Sequence, residues 1–187
     1  MNFKSHYNLK GKHAILSPST HRWINYTPER IKTIYENQLA VARGTKLHAY
    51  AEEAIRLNRR QLNDGDTVNT YINDAIMYQM EPEVLLYGTK YCFGTADAIK
   101  FENGVLRVHD LKTGTTKASM EQLYIYCALF CMDYDVDPRD IEFICRIYQS
   151  REVYEDRPPS TLILEIVEKI KENTYALEEY NSKEVIE

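Results

Sequence analysis

The chain has 187 residues, of which 44% are hydrophobic and 27% charged, an ordinary balance for one globular domain with a real core. A formal net charge of −5 excludes a general basic coat for nucleic acid, so a polyanion would have to meet a local basic surface or a bound cation. No apolar run approaches the length of a membrane span, and the opening MNFKSHYNLKGKHAIL lacks the apolar middle of a signal peptide, so the expectation is a cytoplasmic protein with no membrane partner.

Taken in order, Ser17-Pro18-Ser19-Thr20 reads as a helix start, with small hydroxyl residues placed to cap free N–H groups ahead of HRWINY. Thr27-Pro28-Glu29-Arg30 is a second start, with proline at the first helical position. Together these predict N-terminal helices over 18–60, with a break or kink near Gly44. NDGD (63–66) is a turn, and TVNTYINDAIMYQM is a helix closed by Glu81-Pro82. The period then changes. EVLLY and KYCFGTADAIKF are rich in strand formers, and Asn103-Gly104 marks a tight hairpin into VLRVHDLKTG. KASMEQLYIYCALFCMDY is a helix with a nearly all-apolar second half, so deep packing is expected. DPRD turns the chain into the strand IEFICRIYQS, and an amphipathic helix closes it over 160–180. The order is helices, three strands, helix, strand, helix. That predicts an α/β fold, a mixed sheet flanked by helices, with the last strand parallel to an earlier one through the buried helix.

Four cysteines stand at 92, 127, 131 and 145, with no CxxC pair, which predicts buried free thiols. The chemistry concentrates in GTADAIKFENGVLRVHDLKTG (94–114). Residues i and i+2 of a strand share a face, so Asp110 and Lys112 point together and the Leu111 side chain points away. Counting back from the Asn103-Gly104 turn places Asp97 opposite Asp110. Opposed carboxylates repel. They persist if a divalent cation sits between them or if one is protonated, and oxygen ligands suit Mg²⁺ or Mn²⁺. The Leu111 backbone carbonyl is one more oxygen in reach. A plainer reading is a surface salt bridge among Asp97, Asp110 and Lys112. Two i, i+4 pairs stand alongside. His48 and Glu52 share a helix face, with His48 a metal ligand and Glu52 its orienting partner or a ligand to a second ion. Gln122 and Tyr126 share another, and a buried Gln122 needs a partner such as the Asp110–Lys112 edge.

The segments GTKLHAYAEEAI, GTADAI, VHDLKTG and QLYIY, in that order over residues 44–126, resemble the RecB-like branch of the PD-(D/E)XK nuclease superfamily, including phage-type stand-alone exonucleases. The resemblance implies the restriction-endonuclease-like core within a single nuclease domain over 1–187. It implies metal ligation by His48, Asp97 and Asp110, catalysis by Lys112, and support of the site and the DNA backbone by Gln122 and Tyr126. The expected activity is divalent-metal-dependent hydrolysis of DNA, as an exonuclease in replication, recombination or repair, in the host cytoplasm if the chain is phage-encoded. Partner proteins of those processes, and an oligomer, are compatible with it. Some relatives hold an iron–sulfur cluster on four cysteines; the cysteine layout here predicts none. LSPSTHRWINY resembles the opening of phage-type relatives, which makes Ser17, Ser19 and Arg22 candidate phosphate contacts. Arg43, Lys46, Arg56, Arg59, Arg60 and Lys117, with Arg146 and Arg151, are candidates for a local basic track. Two alternatives stay open: an RNA endonuclease of the cap-snatching kind, and a non-catalytic nucleic-acid-binding or assembly protein on the same fold.

Overall fold

The computed structural model describes residues 3–184. It divides into two compact units, 1–43 and 44–187. In the first, short 3₁₀ helices over Tyr7–Leu9 and Pro18–Asn25 precede helix α1, Pro28–Arg56, which crosses the boundary between the units. The expected cap at Ser17 is not made. Its hydroxyl pairs with Ser19 Oγ at 2.8 Å, and Trp23 Nε1 instead donates to the Ser17 carbonyl at 2.9 Å. The tight 3₁₀ turn forms around Pro18 and Trp23 rather than around a hydroxyl cap.

Helix α1 also runs as one helix through Gly44, where a break or kink was expected. The glycine is there for contact rather than flexibility. It is buried, and a Cβ at this position would stand 2.8 Å from Thr113 Oγ1, so the helix comes close to the loop that follows the Asp110–Lys112 strand only because position 44 has no side chain.

The second unit adds α2 (Thr67–Met77), β1 (Glu81–Thr89), β2 (Cys92–Glu102), β3 (Val105–Lys112), α3 (Glu121–Asp133), β4 (Glu142–Gln149), β5 (Glu152–Asp156) and α4 (Ser160–Glu184). Asp66 caps α2, its side chain accepting from the N–H groups of Val68 and Asn69. The five strands form one mixed sheet in the order β1-β2-β3-β4-β5. β3 and β4 are parallel, joined through α3 as expected; the other neighbours are antiparallel. β5 was not foreseen. EVYED is exposed along its whole length on the sheet edge, so it lacks the apolar alternation that marks a half-buried strand.

Alternation along β3 sets the layers. Leu106 and Val108 pack with α3 and α4 residues such as Leu123, Leu129 and Ile163, while Leu111 packs on the other side with Ala51 and Ala54 of α1 and Ile72 of α2. Helices therefore cover both faces of the sheet. Cys127, Cys131 and Cys145 are buried and all four cysteines are free thiols, as expected. Among the described residues no helix is long and apolar enough to cross a membrane.

Candidate metal centre

Four elements of the second unit converge on one point. The β2–β3 ladder keeps the register expected from the Asn103-Gly104 turn, with Glu102 paired to Val105 and Ala98 to His109. The next rung would be Asp97 with Asp110, and there the ladder stops. Asp97 Oδ2 instead accepts the Leu111 backbone N–H at 2.8 Å, which pins the carboxylate in the gap where the strands part. On the other side of β2, Pro82 pairs with Ala98 and Val84 with Ala96, so Glu83 stands opposite Asp97. Glu83 has φ of +54°, a left-handed conformation that a glutamate rarely adopts. Glu83, Asp97 and Asp110 thus form a row of three carboxylates across three neighbouring strands. Like charges so placed are destabilising unless something positive joins them.

His48 reaches the row from α1. Its Nδ1 lies 3.4 Å from Asp97 Oδ2, and donor atoms of His48, Glu83 and Asp97 all lie within 4.8 Å of one another. Asp110 is 1% exposed. Lys112 Nζ donates to Asp110 Oδ1 at 2.9 Å and to Gln122 Oε1 at 2.8 Å, and Gln122 Nε2 donates to the Tyr126 hydroxyl at 3.1 Å. Asp110 Oδ2 is 2.9 Å from the same ammonium but has no aligned hydrogen bond.

The electrostatics follow. The hydrogen bond to Asp97 raises the His48 pKa above the ordinary imidazole value, against the opposing effect of burial. Burial and then the Asp97 charge raise Glu83, and the same two causes raise Asp110 despite the hydrogen bond from Lys112. Glu83 and Asp110 are thus held partly against ionisation, by burial first and by the Asp97 charge second, the condition that a bound cation relieves.

Compared with protein-family models, with curated proteins and with solved structures, the chain matches none.

The geometry alone sorts the remaining candidates. His48, Asp97, Asp110, Lys112, Gln122 and Tyr126 come together. Gln122 is exposed on the first turn of α3, not buried as expected, because the apolar face of that helix begins at Leu123. Its partner is nonetheless the expected Lys112. Lys117 does not begin the helix; α3 starts at Glu121, and Lys117 lies in the preceding loop. Glu52 Oε1 accepts from Arg56 Nε at 3.0 Å, and the acidic group gathered with His48 and Asp97 is Glu83. Leu111 is buried between the site residues of β3 with its N–H committed to Asp97. Arg146 is no open phosphate contact. It pairs with Asp74 and Glu155 and stacks on Tyr78. Lys46, Arg59 and Arg60 are exposed. Ser17, Ser19, Arg22 and Arg43 belong to the first unit, where Arg22 is exposed and Arg43 Nε donates to the Leu39 carbonyl at 3.4 Å.

Glu83 is the site residue that sequence reasoning missed. The signal lay in the hairpin between β1 and β2, whose tip, Gly88-Thr89-Lys90-Tyr91, has no tight-turn pair to fix the register that sets Glu83 against Asp97.

One imidazole nitrogen and several carboxylate oxygens, one of them buried without an aligned donor, fit a hard-to-borderline divalent cation of the Mg²⁺ or Mn²⁺ kind.

Proposed function

We propose that the chain is a divalent-metal-dependent nuclease that hydrolyses DNA phosphodiester bonds, built on a PD-(D/E)XK core. The observation that carries the reading is the convergence of His48, Glu83 and Asp97, with Asp110 on the next strand beside them, and a lysine whose ammonium is held by Asp110 and Gln122. The five-stranded mixed sheet between helix layers is compatible with that core, and the order of the motifs supports it.

His48, Glu83, Asp97 and Asp110 would hold the cation, which when bound supplies Lewis-acid polarisation of the phosphate. Lys112 acts directly on the reaction. Asp110 and Gln122 take up its donors on one side, so the ammonium has one fixed direction left in which to meet a phosphate oxygen or the attacking water. Water oxygen bonds to phosphorus and gives up one proton to solvent, the phosphorus–oxygen bond to the sugar breaks, and the departing oxygen takes a proton from solvent. The Lys112 charge offsets the negative charge that builds on the phosphoryl oxygens. Tyr126 holds Gln122, and Gln122 holds Lys112, so both are positioning residues. The nitrogen donor favours Mn²⁺ over Mg²⁺. The pathway reading, an exonuclease in phage-type replication, recombination or repair, rests on the sequence resemblance.

The test is incubation of the chain with end-labelled single-stranded DNA, duplex DNA and RNA in Mn²⁺ and in chelator, beside a calorimetric Mn²⁺ titration. Metal-dependent loss of DNA is expected. Cleavage of RNA alone would favour the cap-snatching kind of endonuclease, and absence of both Mn²⁺ binding and cleavage would favour a non-catalytic binding protein.

A further inference from the structure

Beyond Glu83 and Asp97 the β1–β2 hairpin continues as a regular ladder, with Leu85 paired to Thr95, Leu86 to Gly94 and Tyr87 to Phe93. Side chains alternate across it. Leu86 is buried in the layer that includes α3, and a Cβ on Gly94 would meet the Tyr126 ring at 3.2 Å, so these two face α3. Leu85, Tyr87, Phe93 and Thr95 face the other way, toward the side of the sheet that α1 covers further along. There they are open: Leu85 is 61% exposed, Tyr87 50% and Phe93 60%. Single exposed apolar residues need no explanation, but two aromatic rings and a leucine on adjoining rungs make a patch that has a use.

The position of the patch names its occupant. At about 3.3 Å per residue, Tyr87 lies about 13 Å along the strand from Glu83, so the rings begin where the hairpin leaves the carboxylate row. Lys90 at the hairpin tip pairs with Glu178 of α4, so the rings rather than a free charge carry the contact. Exposed aromatic rings beside a site that would cut a polynucleotide are what an unpaired strand meets: bases stack on the rings. A duplex has its base faces already stacked and offers the rings nothing comparable.

We infer that the Tyr87–Phe93 rung is a stacking platform for unpaired bases of the strand being cut, which makes single-stranded DNA, or the frayed end of a duplex, the substrate class. This rests on the nuclease reading. Binding is measured by fluorescence anisotropy in the cleavage-dead Asp110→Ala background, using a labelled oligothymidylate, an abasic strand of equal length and a blunt duplex. Tyr87→Ala and Phe93→Ala should each weaken oligothymidylate binding about tenfold, leave the abasic strand and the duplex unchanged, and be rescued by Trp at the same position. Equal loss on the abasic strand, or no loss on oligothymidylate, overturns the platform. A dimer in sedimentation that Tyr87→Ala dissolves, with DNA binding unaltered, also overturns it and assigns the face to a second copy of the chain. Cleavage by the unsubstituted chain is followed in parallel. Cleavage with insensitive variants sinks the platform alone, whereas base-dependent binding without any metal-dependent cleavage sustains the platform and sinks the nuclease reading.

Discussion

Replacing Glu83 by Gln separates charge from shape, because glutamine keeps the side-chain length and carries the same backbone strain at φ of +54°. Donor atoms of His48, Glu83 and Asp97 lie within 4.8 Å of one another. Two like charges at that distance repel by about 3.5 kcal/mol at an effective dielectric of about 20 and by about 0.9 kcal/mol in bulk water. Both carboxylates are partly exposed and His48 offsets some of the repulsion, so the lower figure applies. In chelator, then, Glu83→Gln should be more stable than the parent by about 1 kcal/mol, a rise in Tm of about 2–4 °C. With Mn²⁺ the order should reverse. At a hundred times its dissociation constant the ion stabilises the parent by about 2.7 kcal/mol, and a tenfold weaker variant gains only about 1.4 kcal/mol at the same concentration. Thermal unfolding followed by circular dichroism, with chelator and with Mn²⁺ at pH 8, reads both numbers. A variant that is less stable in chelator and shows the same Mn²⁺ shift as the parent would refute Glu83 as a member of a charge-crowded metal site.

Four other outcomes follow from the same structure. Gly44→Ala should push Thr113 away and displace the end of β3, lowering turnover of any DNA substrate severalfold; Thr113→Ala in the same chain should restore it, and failure to restore would place the role of Gly44 elsewhere. Asp74→Ala removes the acceptor of the Tyr148 hydroxyl at 2.7 Å and of Arg146 at 3.1 Å, at a cost of about 2 kcal/mol, read as a Tm lower by about 5 °C with Mn²⁺ binding unchanged. Burial pushes the Cys131 thiol up to about 12 and raises Cys127 well above the ordinary range, so at pH 8 neither should alkylate until guanidinium unfolds the chain; rapid labelling of either in the native protein would contradict the packing of α3. Gln122→Leu should lower kcat with little change in Mn²⁺ affinity, since Gln122 touches Lys112 and none of the metal-binding side chains; equal loss of metal affinity would show that it shapes the metal site instead.

The legible parts of the fold were those with a strict local code. Asn103-Gly104 sets a hairpin register, and that register places Asp97 toward Asp110. The i, i+2 rule joined Lys112 to Asp110, and the i, i+4 rule joined Gln122 to Tyr126. What escaped depends on tertiary contact. Gly44 looks like a helix breaker until Thr113 is seen against it. Arg146 looks like a spare cation until Asp74 and Glu155 are placed on either side of it. Glu83 is one acid among many in its stretch of chain until a hairpin with an unmarked turn sets it against Asp97. β5 is a charged edge strand held by β4, with no pattern of its own to announce it.

The central claim is that the carboxylate row and Lys112 cut a nucleic-acid backbone with the help of a divalent ion. A time course on 5′-labelled and 3′-labelled DNA, run in Mn²⁺ and in chelator with the parent chain and with Asp110→Ala, tests it most directly. Shortening of the DNA by the parent in Mn²⁺ only is expected, and none by an Asp110→Ala chain that keeps the parent's circular dichroism. Cleavage that persists in chelator, or that Asp110→Ala carries out at the parent's rate, would contradict it.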